Sequence, residues 1–107
     1  MPTSAEIADM MVAGFDASKA QGVNATLQFD LSGDEGGQFY LTIDDGTITK
    51  VDGVATDPNM TLKASAEDYY AVATGKLNPM QAFMSGKIKI QGDMSMAMKM
   101  QGMFKNS

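Results

Sequence analysis

Residues Asn78 to Phe104 read NPMQAFMSGKIKIQGDMSMAMKMQGMF, and three elements follow from this stretch. Asn78-Pro79 is a helix start. Asparagine caps orphan N–H groups, and proline at the first helical position gives up only a donor that would be unpaired anyway. Met80 to Ser85 form the turn that follows, and Gly86 can end it in a left-handed conformation. Lys87-Ile88-Lys89-Ile90-Gln91 alternates charged and apolar, the period of a half-buried strand. Gly92-Asp93 breaks that strand, and Asp93 is placed to cap a last helix. Met94, Met96, Met98 and Met100 also alternate, as strand residues would. However, Met, Ala, Lys and Gln are good helix formers and β-branched residues are absent, so a helix is predicted.

Wound at roughly 100° per residue, Met96, Ala97, Met100, Met103 and Phe104 make one broad apolar arc. Met94 and Met98 fall on a second edge, and Ser95, Lys99 and Gly102 are left as a narrow polar strip. Such a helix needs two apolar partners. One is the protein's own sheet; the other is a ligand, a lipid surface or a second chain.

Upstream the pattern is regular. Thr3-Ser4-Ala5-Glu6 has the form of a capping box. Ile7, Met10, Met11, Gly14 and Phe15 recur at three- and four-residue spacing, which predicts an amphipathic helix over residues 4 to about 20, stopped by Gly22. From Val23 to Leu31, Val23, Ala25, Leu27, Phe29 and Leu31 point one way, and Asn24, Thr26, Gln28 and Asp30 the other. Phe39, Leu41 and Ile43 continue that face on a second strand, and Asp44-Asp45-Gly46 offers a hairpin turn. Thr47 to Val51 is a third strand, and Met60, Leu62 and Ala64 mark a fourth. Ser65 caps a helix with Tyr69, Val72 and Ala73 on its inner face, closed by Gly75. The order is helix, four strands, helices, strand, helix. Each strand has one apolar face, so the expectation is an α+β domain over residues 1–107. Its five-stranded, mostly antiparallel sheet is wet on one side and covered by helices on the other.

The chain has 107 residues, a net charge of −5, and neither histidine nor cysteine nor arginine. Disulfides, thiolate chemistry and zinc are excluded, together with the commonest general base. A nucleic-acid partner needs a basic footprint that is missing. Gly33-x-x-Gly36-Gly37 does not open a helix, so phosphate cradling fails on context. Asp44, Asp45, Asp52 and Asp57 lack the ligand spacing of a calcium loop. No serine or threonine has a candidate base, and nothing marks a lysine as buried. The expectation is a protein without catalytic residues, metal or cofactor. The N-terminal stretch carries Glu6, Asp9 and Asp16 and is not a signal peptide. No run reaches membrane-spanning length. Phe104-Lys105-Asn106-Ser107 lacks a peroxisomal address. A cytoplasmic location is expected.

GKIKIQGDMSMAMKMQ, preceded by TGKLNPMQAFMSGKIKI, is very similar to the end of the sterol carrier protein type 2 lipid-binding domain. The resemblance runs more weakly from the first strand onward. Gly75-Lys76-Leu77-Asn78-Pro79 and Gly86 to Met94 carry most of it. It implies an apolar tunnel between sheet and helices, holding a fatty acid, fatty acyl-CoA, sterol or phospholipid. On that footing Phe83, Met84, Ile88 and Ile90 line the tunnel. Met94, Met98, Met100, Met103 and Phe104 form an adaptable wall. Leu27, Phe29, Leu41 and Ile43 are its floor, and Gln91 and Gln101 are polar contacts at the mouth. A monomer in transient contact with a membrane is expected.

The eleven methionines fit this reading, because a thioether chain re-packs around differently shaped guests at small cost. Ordinary core filling, a dimer interface or a peptide groove would use the same residues. A helix-mediated interaction module and a domain presenting hydrophobic substrates, such as quinone precursors, to an enzyme therefore stay open. A lipid pocket is roughly 300 Å3 or more, and an empty rigid void of that size costs on the order of 7 kcal/mol. The unliganded form is thus expected to hydrate, partly collapse or carry a scavenged lipid. About 15 buried methylenes yield roughly 12 kcal/mol gross. Association costs of about 4 kcal/mol leave roughly micromolar binding.

Overall fold

Local chemistry sets the boundaries of nearly every element. The computed structural model describes residues 2–104, apart from the side chain of Gln101. Helix α1 spans Ser4–Ala13, with Thr3 Oγ1 accepting from Glu6 N and Glu6 Oε1 accepting from Thr3 N. It ends earlier than the periodicity predicts. Phe15 leaves the helix for a bridge with Phe104, and Asp16 caps a separate 3-10 turn, Ala17–Lys19. Gly22, at φ +76°, then turns the chain into the sheet instead of closing a helix.

Strands β1 (Asn24–Ser32), β2 (Gly37–Asp44) and β3 (Thr47–Asp52) form an antiparallel meander. The β2–β3 hairpin is set by Asp45 and Gly46, both at positive φ (46° and 89°), the turn whose twist matches the strands it joins. Strand β4 (Met60–Ser65) returns to pair parallel with β1. Helices α2 (Ala66–Ala73) and α3 (Pro79–Met84) follow, then β5 (Ile88–Gly92), antiparallel to β4, and α4 (Met94–Met103). The strand order is β3-β2-β1-β4-β5. The sheet is mixed but mostly antiparallel.

Register puts one apolar stripe across the sheet. Leu27 faces Leu41 and Met60, Phe29 faces Phe39 and Leu62, and Leu62 faces Ile90. Under the helices, Phe29 stacks on Phe39 with centroids 5.0 Å apart and meets Tyr69 at a tilt of 58°, centroids 5.6 Å apart. Ile7, Ala8 and Met11 of α1 close over this core. Lys50, on the helix side of β3, reaches Asp9 at 2.8 Å.

Gln28 departs from the in–out rule. It points to the wet face yet is buried, because the segment after β3 folds over it. Its Nε2 donates to Asp30 and to the Gly53 carbonyl, both at 3.1 Å, and its Oε1 accepts from Ala55 N at 2.8 Å. A buried amide needs such partners.

Helix α4 is fastened at both ends. Asp93 N donates to the Asn59 carbonyl at 2.9 Å, and Asp16 N donates to the Met103 carbonyl at 2.7 Å. The rings of Phe15 and Phe104 lie 5.7 Å apart at the second anchor. At the first, Gly92 has φ +93°, and a Cβ there would sit 2.6 Å from the Asn59 carbonyl oxygen, so only glycine fits.

Candidate functional site: an apolar cavity over the sheet edge

The β4–β5 edge of the sheet is roofed by α2, α3 and α4, and the roof does not close. A cavity of about 250 Å3 remains. Its floor is Leu62, Ile88 and Ile90; Tyr69 and Val72 of α2 form the back. Pro79, Met80 and Phe83 of α3 make one side, and Met94, Ala97, Met98 and Met100 of α4 the other. Among the described residues, none that lines it is charged.

Each wall is built by a cap. Asn78 Oδ1 accepts from Met80 N and Gln81 N at 2.8 and 3.2 Å and starts α3. Ser65 Oγ accepts from Asp68 N at 3.0 Å and starts α2. Asp93 Oδ1 accepts from Ser95 Oγ, Ser95 N and Met96 N at 2.6, 2.9 and 3.1 Å and starts α4. The Ser95 hydroxyl, and then the Met96 N–H, hold the Asp93 carboxyl below its ordinary value of 3.8.

Because the folded value is the lower one, the cap contributes fully above the unfolded value. Its contribution is lost as pH falls through the folded value. Acidification below about pH 4 is therefore expected to loosen the start of α4. Asp93→Asn keeps an acceptor at the cap and should flatten that dependence. Methionine methyl signals followed from neutral to acid pH check this; identical profiles for both proteins would refute it.

The expected site residues separate into groups. Phe83, Ile88, Ile90, Met94, Met98 and Met100 meet at the cavity. Phe29 and Leu41, with Leu27 and Ile43, do not: they are buried beneath α1 and α2, because the cavity sits over the β4–β5 edge and not the sheet centre. Met84 lies outside it, 79% exposed. Met103 and Phe104 are buried at the far anchor of α4, beside Phe15. Gln91 pairs with Thr61, out of phase with Ile88 and Ile90, and so leaves the sheet on its wet side. The side chain of Gln101 lies outside the described residues.

Leu62, Tyr69, Val72, Pro79, Met80 and Ala97 complete the lining. For Leu62 the signal is its β5 partner, Ile90. For Tyr69 and Val72 it is the inner face of α2. Among the described lining residues Tyr69 carries the one hydroxyl, which donates to Met11 Sδ at 3.5 Å, and burial pushes its phenol well above the ordinary value. It is a neutral wall residue at any physiological pH. A larger concavity of about 530 Å3 lies on the wet face among Asp30, Gln38, Lys63, Lys87 and Lys89. It is open to solvent and bordered by charged and amide side chains, so it does not enclose a guest. Among the described residues, no three His, Cys, Asp or Glu side chains come together to hold a metal ion, and no helix is long and apolar enough to cross a membrane.

Comparison with known proteins agrees with this architecture. The chain is 39% identical over 75 residues to hydroxysteroid dehydrogenase-like protein 2 of Xenopus tropicalis, covering 69% of this chain and 18% of that protein. It is 34% identical over 97 residues to the oleate-induced peroxisomal protein POX18 of Candida maltosa, covering 84% and 76%. The solution structure of palmitated SCP2L2 from Aedes aegypti superposes with a TM-score of 0.74 at 23% identity, covering 95% of this chain and 93% of that one. The chain thus spans about a fifth of the dehydrogenase-like relative and most of the other two. The model of the SCP-2 sterol transfer family matches residues 13–105, and the chain belongs to that family.

Proposed function

We propose that residues 1–107 act as one lipid-binding domain that carries an acyl chain in the β4–β5 cavity. The observation that carries this is a cavity with no charged side chain among the described residues that line it, opening beside exposed Met80, Met94 and Met98. An apolar chain fits inside; a carboxylate, coenzyme A or phosphate group must stay outside, at the mouth. Fatty acid, fatty acyl-CoA and phospholipid satisfy this. A rigid sterol requires the thioether wall to spread further.

At about 250 Å3 the space is slightly below the ~300 Å3 of a typical ligand site. Closed, rigid and dry, it would cost on the order of 6 kcal/mol, comparable to a domain's whole stability of about 5–15 kcal/mol. Methionines on two of its sides let it contract when empty and widen around a guest. The palmitated relative and the oleate-induced relative are consistent with fatty acid. The proposed carrier is a cytosolic monomer, non-catalytic and without cofactor or nucleic-acid partner, that meets membranes transiently.

Native mass spectrometry of protein purified from cells is expected to show a co-purified fatty acid or phospholipid, exchangeable for added fluorescent fatty acid. A single unliganded mass that ignores the probe would remove the carrier reading. One observation favours a second role, presenting a hydrophobic substrate to an enzyme. The chain matches only a small part of the long dehydrogenase-like relatives. Recovery of one specific enzyme with the lipid-loaded protein would support it. A constitutive dimer without lipid, seen by sedimentation, would instead support a helix-mediated interaction module.

A further inference from the structure

Thioether sulfur is the reductant this chain offers. Cysteine and tryptophan are absent while methionine occurs eleven times, and a peroxide converts methionine to its sulfoxide. The fold sorts these sulfurs by surroundings. Met80, Met94, Met98 and Met100 line the β4–β5 cavity. Met84, one helical turn past Met80 on α3, is 79% exposed and stands outside it. Met100 is the reverse, 5% exposed yet on the cavity wall. An acyl chain inside the cavity therefore lies against sulfur that solvent hardly reaches.

We propose that the cavity reduces fatty acid hydroperoxides, with its own methionines as the reductant. This rests on the carrier reading, since the cavity must first hold the chain. In an oxidised polyunsaturated fatty acid the peroxide sits along the chain, away from the carboxyl group. A chain whose carboxylate stays at the mouth thus carries its peroxide inward. The peroxide O–H has a partner there, because a thioether sulfur is a weak acceptor. Tyr69 already makes such a bond in this core, donating to Met11 Sδ at 3.5 Å. The same contact brings a sulfur lone pair to the terminal peroxide oxygen.

In the step, sulfur attacks that oxygen. The S–O bond forms as the O–O bond breaks, and the hydroperoxide proton passes to the departing alkoxide oxygen. Sulfur loses two electrons and the peroxide gains them. The products are one methionine sulfoxide and one hydroxy fatty acid, with no further reactant. The sulfoxide makes an apolar wall polar, and an unpartnered polar group is unfavourable against an apolar chain, so the hydroxylated product is released. Each sulfur acts once, and the protein is a stoichiometric scavenger.

The test treats the full chain with linoleic acid hydroperoxide or with tert-butyl hydroperoxide and follows each methionine by peptide mass spectrometry. At about 10 μM oxidant, an effective concentration of about 1 mM for a bound chain makes its reaction about a hundredfold faster than the bulk one. With the lipid hydroperoxide, Met100 is expected to be oxidised about tenfold or more faster than Met84. With tert-butyl hydroperoxide, which has no chain to bind, the order should reverse and follow exposure. Excess palmitic acid should suppress oxidation of Met100 by the lipid hydroperoxide and leave that of Met84 unchanged. Met84→Leu should consume the lipid hydroperoxide at the parent rate. If the lipid hydroperoxide displaces a fluorescent fatty acid from the protein but oxidises Met84 as fast as Met100 or faster, the proposal is overturned and the carrier reading is spared. Failure of both lipids to bind removes both.

Discussion

Ala97→Trp is expected to lower fatty-acid affinity about a hundredfold or more while leaving the protein folded. Ala97 lines the cavity from the middle of α4 and is nearly fully buried. An indole there projects into a space of about 250 Å3 instead of into packed side chains, so it fills more than it strains. At ~0.8 kcal/mol for each methylene, excluding four of them from the cavity removes about 3 kcal/mol, which is roughly two decades in affinity. A fluorescent fatty acid titration beside a thermal melt measures both effects. Unchanged affinity in a folded Ala97→Trp protein would show that lipid binds elsewhere.

Phe29→Ala should have the largest effect on stability. Phe29 is fully buried on the central strand, stacked on Phe39 and tilted against Tyr69. It is not on the cavity, so no existing space relieves the void it leaves. Truncating a buried phenylalanine costs about 3–5 kcal/mol, and for a domain of this size that lowers the melting temperature by roughly 15 °C or more. Added fatty acid is expected to restore part of the loss through linkage. A melting temperature within a few degrees of the parent would contradict the central position given to this ring.

The sheet was legible because its strands follow the simplest rule in the chain. Leu27, Phe29, Phe39, Leu41, Leu62 and Ile88 each sit where period two puts them. The caps were equally plain: Thr3, Ser65, Asn78 and Asp93 are short acceptors directly before helix-forming runs, and all four accept from the first turn of their helices. On α4 the helical wheel separates buried Met96, Ala97, Met100 and Met103 from exposed Met94 and Met98.

What period and propensity could not supply is the position of one layer over another. The cavity lies over β4 and β5 because β4 crosses back to the parallel side of β1, a pairing that no local pattern encodes. Phe29 and Leu41, on the inward stripe of the meander, therefore belong to the buried interior and do not line the cavity. Met103 and Phe104 continue the apolar arc of α4, yet they serve an anchor whose partner, Phe15, is far away in sequence. Gln28 looked like an ordinary outward residue, because only the path of the chain past Gly53 buries it.

Because α4 is tied down at both of its termini, it behaves as a bridge and not as a door. On the carrier reading, cargo exchange has to part its mid-span from the neighbouring jaw, the six-residue α3, which packs on α2 and β5. Swelling of the binding space should thus be felt first as slackening of the Asn78 turn, with both piers of the bridge left standing.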